Sequence, residues 1–518
     1  MRTSRERFRG WLSFAVLMTS ACGSSDASSV VPSPASDGGT TDAAPGASGG
    51  SSSTDGGAAG TGSEAGGTAG AAGSGGSSSG CPGLEPIAEP PERVFVAPNG
   101  DDAASGSEAD PLASLGEAAS RLPNGGTVIV RGGQYPQQRW FDAAGTDETP
   151  LYIRAADGET PVFDGSEIKS DWSAVISMAW ASHVVLEGLE VRNCGAPSCQ
   201  GIASGEAVLD LTVRGCHIHH MDGPAARFAG SRIRLEDNDI HDVALTNENN
   251  VNYPNGGWPT CMGTTPDRSS PSDPWADQVV IRGNRIRDCW GEGIGLWYAS
   301  NAVVEDNSVE NAWNVGIYAD NAPHLLIARN YVHMLRGNHG GQGSGILFGT
   351  EDYSSWGLAN TRTSDVDVEN NVVVAGGAVG WWAMDTPEST YDTIRVQHNT
   401  LVGTTQGALN FSQVQSGVDA PTGCVVRNNV IAEASESWLG DRSAFAFGGN
   451  AWLGASKPAV AGTSDVALDI EMPELGEGLD ARPLAALVGK GEAGTGVLDD
   501  FLCAARNTTA PTRGAFEE

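Results

Sequence analysis

Histidines and carboxylates are concentrated in one short stretch of the chain. The group comprises His217, His219, His220, Asp222, Asp239, His241 and Asp242. Imidazole and carboxylate groups bind divalent cations, and an imidazole can also act as a base near neutral pH. If the stretch forms two stacked strands, the expected metal ligands are His217, His219, Asp239 and His241. The alternative is a solvated polar surface without chemistry.

A second group combines aromatic rings with arginine, carboxylates and amides. Its catalytic candidates are Arg227, Tyr318, Asp320 and His339, and its substrate-binding candidates are Trp297, Trp381, Trp382, Asp385 and Asn410. Aromatic faces stack on sugar rings and polar groups bind hydroxyls. The alternative is that several tryptophans only pack under loops.

Two reactions on a polysaccharide fit these residues. Elimination at a uronate needs a cation or arginine on the carboxylate and a base at the α-proton, roles open to Arg227, Tyr318 and the histidines. Hydrolysis needs two carboxylates about 5–9 Å apart. The candidates for it are Asp320, Glu351, Asp352 and Asp385.

The amino-acid composition limits the classes of molecule that this protein can bind. The formal net charge is −34, so the chain repels nucleic acid, and it disfavours uronate polymers unless a cation or an arginine intervenes. The only lysines are Lys169, Lys457 and Lys490, so no lysine base lies in the middle of the chain. The expected partner is a polysaccharide or surface glycan. A divalent cation such as Ca²⁺ is the one cofactor considered.

The elements that position these residues repeat along the chain. Short apolar strands each end at an asparagine, and Asn284, Asn307 and Asn330 are spaced 23 residues apart. A second short strand follows each asparagine and a third precedes the next unit. Three strands per period indicate an all-β solenoid of about ten turns, with stacked asparagines at the bends. Asparagine also tolerates the left-handed backbone that such a bend needs.

The two ends of the chain differ from the repeat. Before it, Asp110 and Pro111 predict the start of an amphipathic helix that caps the solenoid. The apolar face of this helix comprises Leu112, Leu115, Ala119 and Leu122. The expected divisions are a signal peptide (1–21), a disordered Gly/Ser/Ala-rich linker (22–80), the solenoid (81–440) and a C-terminal end and tail that pack on it (441–518).

The first residues predict export. A basic start and a short apolar core precede Cys22, which resembles the acylated cysteine of bacterial lipoproteins. The expectation is a monomer on the bacterial outer membrane or cell surface, held only by the lipid. Cleavage after Ala21 would instead give a secreted protein. Export favours disulfides, and the expected pairs are Cys194–Cys199 and Cys261–Cys289.

Several motifs resemble a known family, the pectate-lyase-like right-handed parallel β-helix proteins. The matching stretches are Val96-Ala97-Pro98-Asn99-Gly100-Asp101, Pro123-Asn124-Gly125-Gly126-Thr127-Val128 and Arg131-Gly132-Gly133-Gln134-Tyr135. They look like the opening of exported polysaccharide lyases of the chondroitinase and alginate lyase kind. The ending, Arg513-Gly514-Ala515-Phe516-Glu517, looks like that of bacterial surface members.

The resemblance implies a single-stranded right-handed parallel β-helix. It also implies that the strand carrying Arg227, Tyr318 and Asp320 floors a substrate groove. The implied activity is that of a polysaccharide lyase or glycoside hydrolase, although members that use a lysine base have no counterpart here. A non-catalytic surface adhesin and a structural rod remain the alternatives.

Overall fold

A computed structural model describes Cys81 and residues 83–517, except 251–258, 335–342, 383–388, 455–456, 460 and 471–483. The expected signal peptide, linker and lipid-anchored Cys22 lie outside the described residues. So do the catalytic candidate His339 and the substrate-binding candidate Asp385.

The chain coils through three ladders of parallel strands. Ladder 1 contains β1 (Arg93–Val96), β2 (Gly126–Val130), β5 (Leu151–Ala155), β7 (Ala174–Glu187), β10 (Val208–Arg214), β13 (Gly230–Glu236), β16 (Ala276–Arg282), β19 (Ala299–Ser300), β20 (Ala302–Glu305), β23 (Leu325–Ala328), β26 (Thr363–Glu369), β29 (Tyr391–Gln397), β32 (Cys424–Arg427) and β35 (Phe445–Gly448).

Ladder 2 contains β3 (Gly133–Tyr135), β6 (Pro161–Asp164), β8 (Glu190–Cys194), β11 (His217–Met221), β14 (Asp239–His241), β17 (Arg285–Arg287), β21 (Ser308–Glu310), β24 (Tyr331–His333), β27 (Val372–Ala375), β30 (Thr400–Gly403), β33 (Val430–Glu433), β36 (Ala451–Leu453) and β37 (Val466–Leu468). Ladder 3 contains β4 (Gln138–Ala144), part of β7, β9 (Gln200–Ser204), β12 (Ala226–Phe228), β15 (Thr260–Thr264), β18 (Glu292–Trp297), β22 (Val315–Asp320), β25 (Ser344–Gly349), β28 (Gly377–Trp382), β31 (Leu409–Phe411) and β34 (Trp438–Leu439).

This topology confirms the predicted parallel β-helix. Between β2 and β36 the chain passes through the ladders in the order 1, 2, 3 on each turn, and the pairings between named strands are parallel, as between β22 and β25. Ladder 2 has 13 strands, which is more turns than the roughly ten predicted. Strands of ladders 1 and 2 continue past residue 440, as far as Leu468.

The core forms because one face of every strand is apolar. Val213, Leu235 and Ile281 lie in register on successive turns and are fully buried. A single turn cannot bury these side chains, but neighbours stacked about 4.8 Å away exclude water from them. The core therefore depends on stacking, and the alternate side chains are left to face outward.

The predicted asparagine stack runs along the bend between ladders 1 and 2. Its members are Asn238, Asn284, Asn307, Asn330, Asn371, Asn399, Asn429 and Asn450. In each step one side-chain oxygen accepts from the backbone and side-chain amides of the preceding member, at 2.9–3.1 Å between Asn307 and Asn330. The buried amides are thereby satisfied along the rod.

The left-handed backbone at this bend does not belong to the stacked asparagines, contrary to the prediction. The left-handed residue is the one before each stacked asparagine, for example Asp306 with φ 59° before Asn307. The stacked asparagines themselves have negative φ. They are required for their hydrogen bonds and not for their backbone conformation.

The N-terminal helix α1 (Leu115–Arg121) covers one end of the core. Its N-cap is Ser114, whose hydroxyl accepts from the Glu117 amide at 3.1 Å. The prediction that Asp110 caps the helix is wrong, because Asp110 lies in a bridge to Ser107 and binds the Ser105 amide. The predicted apolar face is buried, since its four residues are at most 6% exposed.

Three disulfide bonds link cysteines of the described chain. The predicted pairs Cys194–Cys199 and Cys261–Cys289 are confirmed, and a third bond joins Cys81 to Cys503. Cys216 and Cys424 are buried free thiols. Three disulfides indicate folding in an oxidising compartment.

The C-terminal tail packs on the coil. Arg506 donates to the Asn370 side chain at 2.7 Å, and Phe501 and Phe516 pack with Tyr331. Within the described ranges, no helix combines the length and the apolar character needed to cross a bilayer.

Candidate functional site

An outward column of ladder 3 carries the predicted groove residues. In strand register it comprises Arg227, Gly263, Gly295, Tyr318, Leu347, Gly380, Asn410 and Trp438. Two positions further along each strand a second column comprises Trp297, Asp320, Gly349 and Trp382. Outward residues of successive turns therefore form one continuous surface.

One predicted substrate-binding residue does not reach this surface. Trp381 is 1% exposed and its ring packs on Tyr391 in the core, with 4.7 Å between ring centroids. Its neighbour Trp382 is 54% exposed. Because side chains alternate along a strand, only one of two consecutive tryptophans can face outward. The prediction for Trp381 is wrong in this respect.

Two carboxyl groups meet on one tyrosine hydroxyl. The Tyr353 hydroxyl lies 2.6 Å from Oδ2 of Asp320 and 3.2 Å from Oε2 of Glu351. The other Glu351 oxygen accepts from the Tyr318 hydroxyl at 2.6 Å. Asp320 Oδ1 accepts from the Asn321 side chain and from the Glu351 amide. Each carboxyl is thus held in a fixed orientation.

A third carboxyl, that of Glu292, lies beneath the pair. Glu292 is 6% exposed and accepts from the Thr260 hydroxyl at 3.3 Å. Burial, with Glu351 and Asp320 adding repulsion, raises its pKa well above the ordinary value. Burial and Glu351 likewise raise the pKa of Asp320 to about 8. Burial therefore favours the protonated form of both groups.

The two tyrosines stay protonated for the same reason. Burial and the adjacent Asp320 and Glu351 carboxyls raise the pKa of Tyr318 and that of Tyr353 well above the ordinary value. Both hydroxyls therefore act as hydrogen-bond donors throughout the physiological pH range.

Arginine and aromatic side chains border the carboxyls. Burial and the proximity of Arg268 lower the pKa of Arg227 to about 10, while Glu292 opposes that shift. Arg268 lies 3.9 Å from the centroid of the Trp356 ring and 5.4 Å from that of Trp297. Both rings also contact Tyr353. Positive charge and flat apolar surface thus flank the acidic cluster, hereafter the carboxyl cluster (Glu292, Asp320, Glu351).

The structure brings together only part of the predicted groove set. Asp320 belongs to the carboxyl cluster, and Arg227, Tyr318 and Trp297 border it. Asn410 lies three turns beyond Tyr318 and donates to the Gly407 carbonyl at 2.7 Å. Asp352 points to the exposed Ser354 amide and Asn360.

Sequence reasoning did not single out Glu292, Arg268, Tyr353 or Trp356 as functional. Glu292 begins a ladder 3 strand and lies on the same face as the buried Ile294, so a carboxyl at a core position is the signal in the sequence. The other three lie in loops, where no periodicity applies.

The histidines form a second cluster on ladder 2, as the register pairs His217 with Asp239 and His219 with His241. Nε2 of His217 lies 2.9 Å from Nε2 of His241, and the His219 and His241 rings stack with centroids 4.9 Å apart. Burial and the neighbouring imidazoles lower the pKa of His219 to about 4.

The predicted metal ligands are only partly supported by this geometry. Asp239 faces Arg287, with 3.3 Å between Oδ1 and Nη2, so its charge is already paired. In this cluster, the three residues whose ligand atoms lie within 4.8 Å of one another are His220, His241 and Asp242. Only His241 belongs to both sets.

Comparison with known proteins extends this description. A family model for the Pel9A-like right-handed β-helix region matches residues 94–325. The uncharacterized protein YwoF of Bacillus subtilis is 24% identical over 287 residues, 54% of this chain and 55% of YwoF. Pectate lyase PEL9 of Emericella nidulans is 26% identical over 226 residues, 40% of this chain and 50% of PEL9. The chain therefore spans about half the length of these relatives.

A solved structure is also similar. The crystal structure of pectate lyase Pel9A is 17% identical, with a TM-score of 0.44, over 83% of this chain and 97% of Pel9A. The three parallel ladders form a right-handed parallel β-helix, and residues 94–325 of it match the model of the Pel9A-like β-helix region.

Proposed function

We propose that this protein binds an extracellular polysaccharide along ladder 3 and cleaves its glycosidic bonds at the carboxyl cluster. The observation that carries the proposal is the convergence of Asp320 and Glu351 on the Tyr353 hydroxyl. Glycoside hydrolysis uses a pair of carboxyl groups as acid and as nucleophile or base, and Asp320 and Glu351 are the pair that this site offers.

Exposed tryptophans extend the surface on which a glycan would lie. Trp382 and Trp438 are 54% and 53% exposed on ladder 3, and Trp356 is 44% exposed near the carboxyl cluster. Indole faces stack on the apolar faces of sugar rings, and buried arginine or tyrosine groups bind hydroxyls. A bound chain would thus cross several turns of the coil.

The two carboxyls would divide the acid and base roles. Asp320, whose pKa is raised to about 8, would donate a proton to the leaving-group oxygen as the sugar C–O bond breaks. Glu351 would act at the anomeric carbon, as nucleophile or as base for water, and Tyr318 and Tyr353 orient it. Water supplies the oxygen and one proton of the new hydroxyl. Its other proton goes to Asp320 when Glu351 is the nucleophile, or to Glu351 when Glu351 is the base, and in the second case proton exchange with solvent restores both groups.

Calcium was the cofactor considered from the sequence, and the carboxyl cluster does not suit it. Ca²⁺ needs six to eight oxygen ligands with free lone pairs facing one point. The oxygens of Asp320 and Glu351 instead accept from Asn321, Tyr318, Tyr353 and an amide. We therefore assign no step of the reaction to calcium.

Eliminative cleavage of an acidic polysaccharide is a second candidate. The 26% identity to a protein named pectate lyase PEL9 favours it. In that reaction Arg227 would pair with the uronate carboxylate, and Glu351, held by the protonated Tyr318, would remove the α-proton. The absence of lysine from positions 170 to 456 means that a lysine base cannot do so.

The decisive experiment offers purified protein a panel of neutral and acidic polysaccharides. Hydrolysis yields new reducing ends alone, whereas elimination also yields an unsaturated product that absorbs ultraviolet light. We expect Asp320→Asn and Glu351→Gln to lower kcat/KM by about 10²–10⁴-fold. The control is Asp352→Asn, an exposed carboxyl outside the cluster. Saturable binding without product would instead support the adhesin alternative.

We also propose that Cys22 carries a lipid and holds a monomer at the bacterial surface. The disulfides support export, since such bonds persist in oxidising compartments. Expression of wild type and Cys22→Ala, followed by fractionation, tests the anchor. The wild type should sediment with membranes and the variant should be soluble. If both are soluble, the protein is secreted without a lipid.

A further inference from the structure

We propose that the histidine cluster on ladder 2 binds a divalent transition-metal ion of the zinc class through His220, His241 and Asp242. The ligand atoms of these three residues lie within 4.8 Å of one another. Tetrahedral ligands about 2.1 Å from zinc are about 3.4 Å apart, so small side-chain rotations suffice. This proposal does not depend on the proposed function.

A backbone feature shared by two turns places these ligands together. His220 and Asp242 both have left-handed backbone, with φ 56° and 50°, directly after the last paired residues His219 and His241. Along a strand, neighbouring side chains would alternate between faces. The left-handed bend breaks that alternation, so consecutive side chains on each turn lie on the same outer surface. Two stacked turns therefore present four ligand-type side chains side by side.

The two nitrogens of His241 have separate partners. Nδ1 lies 2.7 Å from Oδ2 of Asp242, and Nε2 lies 2.9 Å from Nε2 of His217. A metal ion replaces the proton that Nδ1 shares with Asp242, and the proton at Nε2 then bonds to His217. A metal-bound histidine is ordinarily held in this way by a hydrogen bond from its other nitrogen.

An unpartnered buried nitrogen provides a second observation. His219 is 9% exposed, and its Nε2 has no hydrogen-bond partner, although Glu190 Oε1 lies 3.6 Å away. Its Nδ1 lies 2.7 Å from Nδ1 of His220, which orients the His220 ring. Burying an unsatisfied polar atom is costly, and a cation bound by His220, whose ring contacts this imidazole, would offset part of that cost.

The described residues contain two other groups of side chains that could in principle hold a metal ion. Cys81, Asp306 and Cys503 include a disulfide, so their sulfurs are not free ligands. Asp147, His183 and Asp210 lie beside Arg232, whose nitrogens are 3.5 and 3.4 Å from the two carboxylates. The set of His220, His241 and Asp242 has no such competing cation. Imidazole ligands favour zinc, nickel or copper over calcium.

The test is metal titration of the full protein after removal of metal by a chelator. Calorimetry with Zn²⁺, and visible absorption with Co²⁺, should show one ion bound per chain, and an excess of Ca²⁺ should not displace it. We expect His241→Ala to abolish binding and Asp242→Asn to weaken it by about 10–100-fold. Zn²⁺ should also raise the Tm of the wild type, because a ligand that binds only the folded state stabilises it.

The matched control is His324→Ala. His324 and Asp365 form another His–carboxylate pair, with 2.9 Å between Nδ1 and Oδ2. Among the described residues, no second histidine joins that pair. This variant should bind Zn²⁺ like the wild type. If His241→Ala does not fold, the exposed His220→Ala decides, and it should weaken binding at least tenfold. Failure of the wild type to bind Zn²⁺, or equal losses in His324→Ala, would overturn the proposal.

Discussion

The Tyr353 hydroxyl donates a hydrogen bond to Oδ2 of Asp320 at 2.6 Å, although Tyr353 belongs to the loop after β25 and Asp320 ends β22 on the preceding turn. The same hydroxyl oxygen lies 3.2 Å from Glu351. A hydroxyl has only one proton to donate. A stable arrangement of both carboxyls around it therefore requires a further proton on one carboxyl, which is how an acid and a base are obtained from similar side chains.

The first prediction concerns that shared hydroxyl. Tyr353→Phe removes the donor and leaves Asp320 and Glu351 to repel each other directly, so kcat/KM should fall about 100-fold and the alkaline limb of its pH profile, which Asp320 as the acid would set, should move to higher pH. Steady-state kinetics across pH measure both effects. Tyr298→Phe is the control, because the Tyr298 hydroxyl donates to the Ala359 carbonyl and not to a carboxyl. Equal losses in both variants would indicate a packing role only.

The second prediction is a pH dependence of stability. Because burial and Glu351 raise the pKa of Asp320 from 3.8 to about 8, the native protein holds a proton that the unfolded chain releases. The resulting contribution to the free energy of unfolding is complete below pH 3.8 and is lost as the pH rises towards about 8.

Urea unfolding at several pH values tests this second prediction. Between pH 4 and about 8 the wild type should lose stability more steeply than Asp320→Asn. Some slope should remain in the variant, because the pKa of Glu292 is also raised. Parallel curves for the two proteins would show that Asp320 keeps its ordinary pKa.

The third prediction concerns a glycine next to the site. A Cβ added at Gly349 would overlap the hydroxyl oxygen of Tyr318, which binds Glu351. Gly349→Ala should therefore displace Tyr318 and lower kcat at least about tenfold, with a smaller change in Tm. Gly195→Ala serves as control, since an added Cβ there has no heavy atom within 4 Å. Unchanged kcat in Gly349→Ala would remove Tyr318 from the proposed site.

The fourth prediction compares two disulfides by loop length. Cys81–Cys503 closes a loop with a separation of 422 residues, and Cys194–Cys199 one of 5. The chain-entropy model assigns the long loop about three times the stabilisation of the short one. Replacing both cysteines of each pair by alanine, followed by calorimetry, should lower Tm further for the long loop. A larger loss for the short loop would mean that packing near Cys194 outweighs chain entropy.

The fifth prediction tests the asparagine stack. Asn307 accepts from both amides of Asn284 and donates to the Ile281 carbonyl at 2.9 Å. Asn307→Ala leaves these buried groups unsatisfied and should reduce the free energy of unfolding by at least about 2 kcal/mol. The exposed Asn99→Ala should change it by less than about 0.5 kcal/mol. Chemical denaturation measures both, and similar values would contradict a structural role for the stack.

The sequence predicted which strand residues of the two sites lie side by side, but not which loop residues join them. Spacing placed Tyr318 next to Leu347 and His219 next to His241, because residues one period apart must stack in a solenoid. It could not place Tyr353 or Arg268, which reach the carboxyl cluster from loops. Loop conformation depends on contacts between residues distant in sequence, so no short-range pattern reports it.

By itself, the sequence determined the coil, its asparagine stack, the two short-range disulfides and the outward column through Arg227 and Tyr318. The coil, the stack and the column follow from a repeat period and from the alternation of side chains along a strand, whereas the disulfides follow from export and the short loops that they close. Only the tertiary structure decided that Trp381 is buried, that the left-handed Asp242 places its carboxylate beside His241, and that Glu292, Asp320 and Glu351 share one low-dielectric cluster. Those outcomes depend on the exact stacking of turns and on loop packing, which fix burial and distance only after the chain has coiled.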